Sequence, residues 1–310
     1  MASTLSGRDL LAALVVVIVW GTNFVAMKIG LRELTPFQMG AGRYLFALLP
    51  LVFLIRPPAL AWQWVLLYGL CQGVGQFGLL FLALREGMSA SLASVLLQTQ
   101  VFFTALLGVA LLREQVGRAL QAGMLLAALG LACFGVNYLT AGAVSVTVTG
   151  GVTVTGMLLV LGGAAMWAAS NIVVRLAQRT APGFDVLGFM VWSSLVPILP
   201  FCLLSWWFDA ASARAQLAHL SWHTWAALAY LGWLATLLGY ALWTGLLTRH
   251  PANRIAPFSL GVPVVGISAG MLLLGDRITG WQWAGIGLIV ASLAVVVFGA
   301  SWLGRNSTTR

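Results

Sequence analysis

Charge is what this chain has least of. Only 7 aspartates and glutamates occur among 310 residues, charged residues make up 7% of the sequence, and hydrophobic residues make up 61%. The mean hydropathy is +0.98. A water-soluble domain cannot cover its surface with so little charge, so the solvent for most of this chain is lipid. Cysteine is scarcer still. Cys71, Cys133 and Cys202 lie far apart inside apolar runs without metal-type spacing; this argues against a disulfide framework or zinc site and leaves them as small packing residues. Paired acids, a histidine–cysteine cluster and a nucleotide-binding loop are also missing. His219 and His223 share a stretch with no acidic company beyond Asp209, and His250 stands at a helix end. Intramembrane transferase chemistry and ATP as a fuel are therefore set aside.

The few acids are also confined. Asp9, Glu33, Glu86, Glu114, Asp185, Asp209 and Asp276 all fall near the ends of apolar runs. An ionisable group at mid-depth is the usual sign of a proton or cation relay, and that sign is missing. Solute movement through such a chain points to facilitated diffusion or exchange, with proton coupling not written in the sequence.

What is present is a series of ten apolar runs, near residues 10–30, 36–55, 63–86, 89–112, 117–137, 154–178, 184–207, 222–248, 252–274 and 280–300. Each approaches the ~20 residues that a membrane-crossing helix needs. The first run lacks a small-residue cleavage site and is followed by further spans, so it reads as a permanent helix and not a signal peptide. The net charge of +9 comes from 15 arginines and one lysine placed singly, not as a stripe, which argues against a nucleic-acid surface. Their placement gives orientation. With the N-terminus in the cytoplasm, Arg8, Arg56, Arg113, Arg118, Arg175, Arg179, Arg249, Arg254, Arg305 and Arg310 gather inside, against Lys28, Arg32, Arg85, Arg214 and Arg277 outside. That bias supports both termini in the cytoplasm and an even number of spans.

The halves resemble each other. Trp20 to Lys28 (WGTNFVAMK) matches Trp167 to Arg175 (WAASNIVVR), and the same offset pairs Phe37 with Phe184. Glu114 and Asp276 each close an apolar run and each precede a glycine by nine residues, Gly123 and Gly285. This order predicts two five-span units, residues 10–138 and 154–300, joined by a Ser/Thr/Gly-rich linker at 139–153. Five is odd, so the second unit enters the membrane in the opposite sense, an arrangement used by many secondary transporters.

WGTNFVAMKIGL in the first span, LASVLLQTQVFFT in the fourth, GYALWTGLLTRH in the eighth and PFSLGVPVVG in the ninth resemble the EamA family of the drug/metabolite transporter superfamily. Within it the likeness is nearest to bacterial exporters of cysteine and O-acetylserine, with YddG-type amino-acid exporters as near relatives. The resemblance covers roughly residues 10–300. It implies an all-α polytopic protein of the bacterial inner membrane, with ten helices as two inverted five-helix repeats around a central cavity. It further implies export of amino acids or related small metabolites, with no cofactor. A monomer is the expected form and a dimer the alternative. Efflux of cationic drugs is the competing function: aromatic walls suit it, but an organic cation would be better served by a buried acid.

Polar residues inside apolar spans are the candidate solute contacts. Trp20 and Asn23 share a face of the first span, and Gln72 and Gln76, with Phe77 beside them, share one on the third. Gln98 and Gln100 in the fourth point about 200° apart, so at most one faces a given cavity. Trp167, Ser170 and Asn171 in the sixth span and Tyr240, Trp243 and Thr244 in the eighth complete the set. Amides can donate to a carboxylate and accept from an ammonium without carrying charge, and the aromatic rings can face the ammonium. The competing role for each is interhelical hydrogen bonding that only holds the bundle together. Arg43 could meet a solute carboxylate, but its position favours reaching to the outer interface or to helix-end carbonyls. Pro197, Pro200, Pro257 and Pro263 are candidate hinges. Gly69-x-x-x-Gly73 and Gly266-x-x-x-Gly270 permit close helix contact.

Overall fold

The computed structural model describes residues 6–114, 117–141, 153–250 and 252–303. The expected linker at 139–153 therefore lies largely outside the described residues. Every regular element among the described residues is helical.

Among the described residues, nine helices are long and apolar enough to cross a membrane: α1 (Gly7–Gly30), α3 (Trp62–Arg85), α4 (Ala90–Leu112), α5 (Arg118–Asn137), α6 (Val154–Thr180), α7 (Val186–Phe208), α8 (Trp222–Leu246), α9 (Pro257–Leu274) and α10 (Gly280–Gly299). The tenth expected segment is the exception. Helix α2 (Pro36–Leu48) has 13 residues, continues as a short 3-10 turn at Leu51–Phe53, and so falls below spanning length. The sequence expectation of one helix over 36–55 is corrected by Pro50, which has no N–H to donate to the carbonyl of Phe46.

The starts of these helices are written in side chains. Ser6 with Asp9 caps α1 and Thr35 with Gln38 caps α2, each as a reciprocal capping box. Thr279 and Gln282 make the same exchange at the start of α10, and Asp185 accepts from two amides at the start of α7. Each cap satisfies backbone donors that have no partner within the helix. The seven acids all stand near helix ends, as expected, and none lies at mid-depth.

The two halves carry the same interruptions at matching places. Helix α2 ends at Pro50 and α7 breaks before Pro197, positions 147 apart, the same offset that pairs Trp20 with Trp167. Helices α3 and α8 each contain a nine-residue π-helical stretch, Gly69–Phe77 and Tyr230–Leu238. Helix α4 tightens to 3-10 geometry at Leu97–Thr99, and α9 steps at Leu260. At the ends of α4 and α9 a left-handed residue, Arg113 (φ 57°) or Gly275 (φ 72°), turns the chain. The next amide, of Glu114 or Asp276, then reaches back to the carbonyl of Gly108 or Gly270.

Glycines set the close crossings. A Cβ on Gly69 would lie 2.5 Å from that of Val196, and one on Gly73 would overlap the Pro197 ring, so α3 presses into the break of α7. A Cβ on Gly266 would lie 2.5 Å from Ser94 Oγ, so α9 packs on α4 through small residues. Exposed tryptophans such as Trp206, Trp207, Trp222, Trp281 and Trp283 ring the helix ends, where amphipathic rings suit a membrane interface.

Candidate functional site

Arg43 is the centre of the interior polar cluster and the largest correction to the sequence reading. It does not reach an interface: its residue is 2% exposed. It sits about 10 Å along α2 from the Pro36 end. Its Nη1 donates to Asn23 Oδ1 at 3.5 Å and its Nη2 to Thr236 Oγ1 at 3.1 Å, while the guanidinium carbon stands 3.7 Å over the Phe77 ring. Helices α1, α2, α3 and α8 thus converge on one cation. The π-helical stretches matter here, because Phe77 closes the one in α3 and Thr236 lies inside the one in α8. Such local widening re-aims side chains and frequently marks functional sites.

A second set of bonds continues inward. Gln72 Nε2 donates to the Tyr240 hydroxyl at 3.2 Å, and Ser170 Oγ donates to Gln72 Oε1 at 2.5 Å. Tyr240 packs against Trp20 at 5.2 Å between ring centroids, and Trp20 against Trp243 at 5.5 Å. The Trp20 indole N–H donates to the carbonyl of Ala235 in the α8 π stretch. Arg43, Tyr44, Gln72, Phe77, Ser193 and Tyr240 are among the residues lining a central chamber of about 20 Å³. That is room for roughly one water molecule.

The structure therefore brings Trp20, Asn23, Arg43, Gln72, Phe77, Tyr240 and Trp243 together, and ties Gln100 and Asn171 into a separate contact. Gln100 accepts from Asn171 Nδ2 at 3.0 Å, and Asn171 also donates to Thr104, which forms a distinct polar knot between α4 and α6. Gln98 is buried at the 3-10 turn of α4, and Trp167 is partly buried against the main apolar core. Gln76 is buried, and its Oε1 has no hydrogen-bond partner among the described residues. Tyr44, Ser193 and Thr236 were missed by sequence reasoning. All three are polar residues in apolar runs, and Ser193 stands four residues before Pro197, where a break was expected. Pro197 lies at that break, Pro200 in the first turn of the helix after it, and Pro257 and Pro263 on either side of the step at Leu260.

The two ends of the bundle differ. At the face where α1 begins, Arg175 Nη1 holds both carboxylate oxygens of Glu114, at 3.1 and 2.9 Å. Both side chains are 44% exposed. At the same face the carboxylate of Asp9 meets Arg249 and His250, each at 3.0 Å. At the far face, Lys28 and Asp276 occupy the matching positions. Lys28 Nζ donates instead to the carbonyl of Leu84 at 2.8 Å, and Asp276 accepts from the amide and hydroxyl of Ser91 at 2.9 and 2.7 Å. Among the described residues no ion pair joins Lys28 to Asp276. Both line an open vestibule of about 460 Å³ together with Arg32 and Arg85.

A bundle of membrane-crossing apolar helices around a small buried polar chamber suits a membrane transporter. The profile of the EamA-like transporter family matches twice, over residues 8–136 and 154–298, and the chain belongs to that family. It is 39% identical over 297 residues to a probable amino-acid metabolite efflux pump of Salmonella typhimurium, covering 95% of this chain and 96% of the relative. It is 37% identical to a protein of the same description from Escherichia coli, covering 96% and 97%. A solved crystal structure shares the fold with a TM-score of 0.60 at 18% identity, covering 96% of this chain and 98% of that one.

Proposed function

We propose that this protein exports amino acids and related small metabolites by alternating access through the central chamber. The observation that carries the reading is the pair of matching acid–base positions. Arg175–Glu114 is joined at one end, whereas Lys28–Asp276 is separated across an open vestibule at the other. An exposed pair of this kind is worth about 0–1 kcal/mol, so it acts as a latch that thermal motion can release. Units 10–138 and 154–300, inserted in opposite senses, would exchange roles as the latches alternate.

The substrate class is supported by the Salmonella and Escherichia relatives, both probable amino-acid metabolite efflux pumps. The location proposed is the bacterial inner membrane, with both termini cytoplasmic, in keeping with the arginine bias toward the starting face. In that orientation the vestibule faces outward. One chain supplies both units, so a monomer suffices for transport. With no acid at mid-depth, movement runs down the solute's own gradient or by exchange. Purified protein in liposomes should therefore move amino acids at rates independent of an imposed pH gradient. Solute-linked proton movement into the vesicles would contradict the uncoupled mechanism, and absence of any solute flux would contradict the transport reading.

A further inference from the structure

We infer that the chamber recognises its solute by a carboxylate, and that Arg43 with the hydroxyls of Tyr44 and Ser193 is the recognition site. The inference rests on the transport reading above and names the chemistry the solute must carry.

The first support is the disposition of every acid. Asp9 meets Arg249 and His250, Glu33 accepts from Ser221 and Thr224, and Glu114 pairs with Arg175. Asp185 caps α7, Asp209 accepts from Thr35, Asp276 accepts from Ser91, and Glu86 lies exposed at the end of α3. Among the described residues no carboxylate pairs with Arg43. A buried cation without a counter-charge is costly and persists where function requires it.

The second support is independent of charge. Arg43 Nε, the Tyr44 hydroxyl and the Ser193 hydroxyl are buried without a hydrogen-bond partner among the described residues, and all three residues line the same chamber. Buried polar groups are overwhelmingly bonded, so three unpartnered donors around one cavity call for an acceptor. Phe77 stacks on the guanidinium and fixes its plane, while Asn23 and Thr236 hold its terminal nitrogens. The guanidinium edge is thereby oriented for a planar anion, the geometry in which arginine outperforms lysine. A cationic drug would meet like charge at this point, so the chamber disfavours the competing function of cationic efflux.

The test uses matched solutes and the full-length protein in liposomes: L-serine with ethanolamine, L-cysteine with cysteamine, and the methyl ester of each amino acid. The wild-type protein should carry the acids at least roughly tenfold faster than the amines or esters. Arg43→Gln should lower amino-acid flux roughly 10- to 100-fold and abolish the preference, with Arg43→Lys intermediate. In detergent, the amino acid that is carried should raise the melting temperature of the wild type but not of Arg43→Gln. Equal flux of acids and amines through the wild type would overturn the inference and leave the transport reading standing. Flux of neither class would remove both. The wild-type comparison decides the question even if Arg43→Gln does not fold.

Discussion

Arg43 shows how much of one side chain's role depends on partners distant in sequence. Its burial, its unbalanced charge and its stacking on Phe77 make it a liability to the folded state. Arg43→Met should therefore raise the melting temperature of solute-free protein in detergent, by roughly 2–4 °C for each kcal/mol relieved, while abolishing transport. A fall of several degrees would show instead that Arg43 serves packing. Glu33 behaves oppositely. It stands between α1 and α2, and the hydroxyl of Thr224 and amide of Ser221 hold its carboxyl below the ordinary value of 4.5. Because the folded state favours the ionised form, this stabilisation is present above about pH 4.5 and lost as pH falls through the lowered value. The melting temperatures of wild type and Glu33→Gln should differ at pH 7 and converge in acid. A constant difference down to acid pH would show that Glu33 contributes by some other means. The sequence made Glu33 legible as a span-end acid, but its hydrogen bonds come from α8, nearly 190 residues away.

The helices are shaped by interruptions as much as by their apolar faces, and glycine decides where they touch. Gly73→Ala would drive a methyl group into Pro197 at the break of α7, with a cost of about 1–3 kcal/mol. Gly287→Ala, where nothing lies within 4 Å, should be neutral or stabilising by up to about 1 kcal/mol, because alanine is the better helix former. Equal effects in a thermal unfolding series would contradict the packing described here. Nearly all the spans could be read from the sequence because apolar length is a strong signal, and the break of α7 and the step in α9 could be read because proline removes a donor. The shortness of α2 was missed, although Pro50 carried the same signal. The π-helical stretches of α3 and α8 have no such mark: they contain no proline, and their apolar pattern equals that of an ordinary helix. Those stretches position Phe77 and Thr236, so the site was legible as a set of residue types but not as an arrangement. Gln100 and Asn171 looked equivalent to Gln72 and Tyr240 in the sequence, yet they bond to each other outside the chamber.

Taken as one body, the bundle encloses a small polar chamber, with the Arg175–Glu114 ion pair at one face and the vestibule lined by Lys28 and Asp276 at the other. The matching of α4 with α9, down to an acid folded back over a glycine six residues earlier, places the two latches as counterparts. Glu114→Gln removes one latch only, so it should favour opening at the face where α1 begins. Asp276→Asn should leave that face closed, because its carboxylate already lies apart from Lys28. The most direct test places pairs of spin labels across each end, on exposed residues flanking Glu114–Arg175 and Lys28–Asp276, and measures both distances by pulsed electron resonance in lipid. The account predicts two populations in which one distance lengthens as the other shortens, with the balance shifted by a transported amino acid. Distances that stay fixed, or that lengthen together, would contradict it.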